Sequence, residues 1–156
     1  MRLAYYVYLQ DGLSFSAADF ETYCAGLGLQ VAVDPEFDPK KSPCFMPVQF
    51  SGAFLTGFEL HSLPCLKASS GGNYSAETDF ERAVQGSAVV VALRCGNQDP
   101  LAVLQVYLFG AYLLTLMGGV FVNHQTGQYY TDGKAMEDSI QDILVQLPVD
   151  IAAESL

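Results

Sequence analysis

The stretch from residue 100 to residue 122 contains no charged side chain, and this run constrains the fold more than any other feature of the sequence. A run of this length can cross a bilayer, and it can equally form the central helix of a hydrophobic core. No Lys or Arg anchor flanks it, and polar residues and a glycine pair interrupt its apolar surface: Gln105, Tyr107, Tyr112, Thr115, Gly118 and Gly119. These features favour a buried helix over about 100 to 117, followed at once by a buried strand. A membrane span is the alternative.

The chain as a whole has the composition of one packed domain. Of the 156 residues, 51% are apolar and only 15% are charged, which is the opposite of the signature of disorder. The length is typical of a single domain, and two full domains would be cramped. We therefore expect residues 1–156 to form one globular domain with a substantial core.

The charge balance is strongly acidic. Seventeen acidic residues against seven basic ones give a formal net charge of −10. Nucleic acid is excluded as a partner because the field of the protein would repel phosphates and no basic stripe is present. A basic protein partner fits this field, whereas the simpler interpretation is that the charge only keeps an apolar chain in solution.

Local patterns predict an α+β fold with an antiparallel or mixed sheet and about three helices packed mainly on one face. The first helix should begin at Ser16 as N-cap, with Phe15 and Phe20 forming a hydrophobic staple. The last should cover 134 to 147, with an apolar stripe that includes Met136 and Ile140 and acids on its other side. The predicted strands cover 3–9, 29–33, two segments between Phe45 and His61, 88–93, 119–123 and 128–131, with the 88–93 strand buried on both faces in the middle of the sheet.

No catalytic or metal-binding pattern is present in the sequence. The four cysteines form no CxxC pair, and neither His61 nor His124 lies in a catalytic motif. Glycine-rich phosphate-binding loops are absent, so no cofactor is expected. A small enzyme that uses Cys44 or His61 in a cleft is the alternative function. The scattered cysteines, next to apolar neighbours, suggest a reducing compartment and favour a cytoplasmic protein.

Two acidic clusters are the candidate partner-binding residues. The first is a proline-flanked loop with Asp34, Glu36 and Asp38, which lacks the glycine and the bidentate glutamate of a calcium loop. The second lies beside a Ser/Gly-rich stretch. Apolar anchors are also needed in a protein interface, and one aromatic residue near each cluster could supply them. The second cluster consists of Glu77, Asp79 and Glu81, and the two candidate anchors are Phe37 and Tyr74.

Several of these segments together resemble the small immunity proteins of bacterial polymorphic toxin systems. The likeness is one of layout over most of the chain, and it is carried by Tyr5 to Leu9 with Asp11-Gly12, by the loop 34–39, by Phe45-Met46-Pro47 leading to Thr56-Gly57-Phe58-Glu59-Leu60, and by Leu116 to Phe121 before the Gly127 turn. The resemblance implies a cytoplasmic protein that binds a cognate toxin domain and occludes its active site. It implies no catalytic residues, and many of the toxins that such proteins neutralise are basic.

Overall fold

A computed structural model describes residues 3–10, 14–38, 44–50, 54–64, 87–95, 100–123 and 125–146, and these form an α+β fold. One antiparallel sheet of seven strands carries three helices that pack on it. The strands are β1 (Leu3–Leu9), β2 (Val31–Val33), β3 (Cys44–Phe50), β4 (Phe54–Pro64), β5 (Val89–Cys95), β6 (Val120–Asn123) and β7 (Tyr129–Tyr130). The helices are α1 (Ala17–Gly26), α2 (Pro100–Met117) and α3 (Gly133–Val145). The predicted fold class is confirmed.

The order of the strands in the sheet is β2-β3-β4-β5-β1-β6-β7. The first strand of the chain is inserted between β5 and β6, where Leu3 to Leu9 pair with Cys95 to Val89. Every pair is antiparallel, and antiparallel sheets commonly cover one face with helices and leave the other to solvent.

Strand β5 is the central strand of the sheet, as its apolar sequence predicted. Val91 and Leu93 point into the helix-covered core and are fully buried. On the second face Ala92 is buried, Val90 is half-buried and Arg94 is exposed. The predicted burial on both faces is thus found mainly on the helix side, because side chains alternate along a strand and the two faces have different environments.

Helix α2 lies in the centre of the core. Residues 104–114 are all buried, and a helix that is apolar on every side is stable only when it is surrounded. Phe109 packs against the rings of Phe20 and Phe58 at centroid distances of 6.0 and 5.2 Å. The helix ends where predicted, at Gly118, whose φ is +75° and whose N–H donates to the carbonyl of Leu114 at 2.9 Å.

By length and composition alone α2 could cross a membrane. In this fold, however, two of its polar side chains form hydrogen bonds with strands of the sheet. The Gln105 amide donates to the carbonyl of Gly57, and Asn123 Nδ2 donates to the Tyr107 hydroxyl at 3.2 Å. These bonds, together with its burial, are those of a core helix.

The other two helices begin with side-chain caps and are tied to each other. Ser16 Oγ accepts from the Asp19 N–H at 3.3 Å at the start of α1, as predicted. Along α3, Met136 and Ile140 are fully buried and confirm part of the predicted stripe. The Tyr23 hydroxyl of α1 donates to Glu137 Oε2 of α3 at 2.9 Å. Glu137 is therefore half-buried and bonded, whereas the sequence placed it simply on the polar side of the helix.

Candidate functional site

The second face of the sheet is the face opposite the helices, and three of its described side chains are large, apolar and exposed. Phe45 is 56% exposed, and Leu63 and Tyr129 are each 43% exposed. The strand register places all three on the second face, because their cross-strand neighbours alternate with the residues of the helix-covered core. Ala92 of the central strand and Val120 and Val122 of β6 are buried on this face, so the three exposed apolar side chains are separated from one another.

Phe45 is the most exposed of these side chains, and the alternation along β3 explains why. Met46, Val48 and Phe50 point into the core and are at most 1% exposed, so Phe45 and Pro47 must point the opposite way. The ring of Phe45 lies directly over Gly57 of the neighbouring strand, where a Cβ atom would collide with it. The missing side chain at Gly57 therefore lets the aromatic ring rest against the backbone of β4.

Two shallow pockets lie beside β3 on this margin of the sheet. One, of about 280 Å³, spans β3, β4 and β5, and the other, of about 340 Å³, spans β2 and β3. We call this region the Phe45 surface. It is defined by Ala32, Asp34, Phe45, Pro47, Gln49, Glu59, His61 and Arg94.

Carboxylates lie on several sides of Phe45. Glu59 is its direct cross-strand neighbour, and Asp34 lines the pocket that Pro47 borders. Asp38 lies close enough to Cys44, the residue before Phe45, for its charge to contribute to a raised thiol pKa, although burial of the thiol is the larger cause. Glu59 of β4 lies between Phe45 of β3 and Arg94 of β5, and it is the direct cross-strand neighbour of both. Among the described residues that line the Phe45 surface, carboxylates therefore outnumber the arginine.

The acidic loop after β2 is a fixed turn. Asp34 Oδ1 accepts from the Glu36 N–H at 2.9 Å, and the Asp34 carbonyl accepts from the Phe37 N–H at 3.1 Å. Asp34 and Glu36 are exposed, and Asp38 is half-buried. The loop thus presents carboxylates next to the Phe45 surface, while its contact with a partner stays a prediction.

Of the two aromatic anchors proposed from the sequence, only Phe37 lies among the described residues. Phe37 is half-buried and packs edge-on against Phe15 at a centroid distance of 5.5 Å, so part of its ring belongs to the periphery of the core. Tyr74 lies outside the described residues, as do Glu77, Asp79 and Glu81. The exposed aromatic ring on this surface is that of Phe45, which the sequence predicted only as a residue of a strand.

Comparison with known proteins does not decide the function. No protein-family model, curated protein or solved structure matches this chain. The likeness to immunity proteins is therefore neither supported nor contradicted by a relative.

The thiol and imidazole of the alternative enzyme belong to different faces of the sheet. Cys44 is the cross-strand neighbour of Leu60 and packs against the core, whereas His61 follows Leu60 and points to the second face. Both residues line the smaller pocket. Burial raises the pKa of the Cys44 thiol, and this favours the neutral, less nucleophilic form.

The remaining described thiols are also kept neutral. Burial raises the pKa of Cys24 to about 12 and that of Cys95 to about 11. Among the residues that the structure describes, no group of three His, Cys, Asp or Glu side chains could hold a metal ion. The Phe45 surface offers an exposed aromatic ring with charged neighbours.

Proposed function

We propose that this chain is a stoichiometric protein-binding inhibitor, an immunity protein that neutralises a cognate bacterial toxin domain by occluding its active site. The observation that carries the proposal is the Phe45 surface, where a 56% exposed aromatic ring is bordered by carboxylates. Specific interfaces combine a few aromatic anchors with a polar rim that excludes water. The surface has both parts.

The net charge supports a basic toxin as the partner. At −10 the protein attracts a basic protein over long range, and complementary charge accelerates encounter and disfavours wrong partners. The same field opposes nucleic acid and anionic membranes. The proposal therefore includes a cytoplasmic protein that binds its toxin without a cofactor, a nucleic acid or a membrane.

The edge of the sheet next to the Phe45 surface favours contact through side chains. Strand β2 forms this edge, and the outward N–H of Val33 donates to Glu21 Oε2 of α1 at 3.0 Å. A carboxylate in this position competes with an incoming strand for the backbone donor, as natural proteins often arrange at sheet edges. Addition of a toxin strand to β2 is thus disfavoured, and contact through the second face and the acidic loop is favoured.

Co-expression with the product of the adjacent gene tests this proposal. We expect the two proteins to co-purify as a stable complex, and we expect cells that produce both to grow where cells producing the neighbour alone do not. Cells that carry the neighbouring gene with an empty second vector are the control. Absence of a complex together with absence of protection would contradict the proposal.

A further inference from the structure

We propose that Phe45 is the principal anchor of the interface, and that its occupant is an arginine-bearing segment of a basic protein partner, whose guanidinium stacks on the exposed ring. The inference rests on the proposed function, since the partner is the toxin that the chain neutralises. It adds the place of contact and the chemistry of the group bound there. A planar guanidinium is weakly hydrated and stacks readily on an aromatic face.

The ring of Phe45 is held in position before any partner arrives. On the second face it lies across the bare backbone of Gly57, and on the helix side the Gly57 carbonyl accepts from the fully buried amide of Gln105. The backbone beneath the ring is therefore fixed from the core. A pre-positioned ring loses little conformational freedom on binding, which is a property of effective anchors.

The charges around the ring select a cation. Asp34 and Glu36 are exposed on the loop that borders the surface, and Glu59 is the direct neighbour of Phe45. Arg94 of β5 lines the same pocket as Phe45 and is the direct cross-strand neighbour of Glu59, so these two opposite charges lie together on one side of the ring. Asp34 and Glu36 add negative charge on the β2 side, and the described charges around the ring are therefore net negative.

Other occupants of this surface are opposed by the same charges. A second copy of the chain would bring a further net charge of −10 to the interface. Nucleic acid and anionic headgroups would place phosphates beside the exposed carboxylates of Asp34 and Glu36. A basic protein segment is the class of occupant that complements both the ring and its rim.

An NMR titration of the full, isotope-labelled chain with N-acetyl-arginine methylamide tests this inference without the toxin. We expect weak, saturable binding with the largest shift changes at Phe45, Gly57 and Glu59. The neutral citrulline analogue is the matched control probe, and it should bind more weakly because it lacks the positive charge. Phe45→Leu should weaken binding of the arginine probe about two- to fivefold, and Phe45→Tyr should retain it. Equal binding of both probes, or shift changes confined to the helices, would overturn the inference.

The complex with the adjacent gene product separates this inference from the proposed function. Phe45→Ala should weaken that complex at least about thirtyfold, as expected for an interface anchor, while the variant remains folded because the side chain is exposed. Leu116→Ala is the matched control, since Leu116 is 51% exposed on α2 and lies away from this surface. A complex that forms equally well with Phe45→Ala would refute the anchor and leave the inhibitor function standing. If the unaltered protein forms no complex, the inhibitor function fails, and the arginine titration decides whether the cation site exists.

Discussion

Replacement of Gly119 by alanine is expected to lower the free energy of unfolding by about 2 to 5 kcal/mol. The φ angle of Gly119 is +123°, a conformation that side-chain-bearing residues rarely adopt. A Cβ atom there would also collide with the carbonyl oxygen of Tyr8. That oxygen cannot withdraw, because Tyr8 belongs to β1 and pairs with β5 on one side and β6 on the other. Urea denaturation followed by circular dichroism measures the loss.

The neighbouring glycine provides the control for this substitution. Gly118 also has a positive φ, of +75°, yet a Cβ atom on it would meet no other atom within 4 Å. Gly118→Ala should therefore destabilise the fold by only about 1 to 2 kcal/mol, the usual penalty for a left-handed residue. Equal losses for the two variants would show that the close approach of the chain at Tyr8 is not what requires Gly119.

Replacement of Phe109 by alanine is expected to cause a loss of about 3 to 5 kcal/mol. The ring is fully buried in the middle of α2 and contacts the rings of Phe15, which precedes α1, of Phe20 in α1 and of Phe58 in β4. Deletion of a ring in a close-packed core removes these contacts and leaves a cavity that the neighbours fill only in part. Denaturant titration gives the free energy of unfolding directly.

Leu116→Ala on the same helix is the control for Phe109→Ala. Leu116 is 51% exposed, so its truncation should change the free energy of unfolding by less than about 0.5 kcal/mol. A helix that crossed a membrane would not depend on ring contacts with α1 and β4. An unchanged stability of Phe109→Ala would therefore contradict the packing of α2 against the sheet and its neighbouring helices.

The parts of the fold that depend on local chemistry could be predicted from the sequence. The cap at Ser16, the end of α2 at Gly118 and the burial of the uncharged run all follow from residues within a few positions of one another. The position of β1 between β5 and β6 did not follow, because it depends on pairing between residues far apart in the chain. The partial exposure of β5 was missed for the same reason, since the environment of Val90 and Arg94 is set by which face the helices cover.

The candidate site was predicted in part. The exposed carboxylates of Asp34 and Glu36 followed from the proline-flanked acidic loop. Phe37 was proposed as an exposed anchor, but its packing on Phe15 depends on a tertiary contact that no local pattern shows. Phe45 could have been found from its parity with Gln49: Met46, Val48 and Phe50 alternate along one apolar face, so Phe45 shares the other face with a polar residue.

A titration of the purified toxin's activity with this protein measures the central claim most directly. If the protein acts by occupying the toxin surface, residual activity should fall linearly and reach zero at one molar equivalent, and it should not depend on the time of incubation. Loss of activity that continues with time at a small fraction of an equivalent would show turnover. That result, or full activity at several equivalents, would contradict an inhibitor that acts by contact alone.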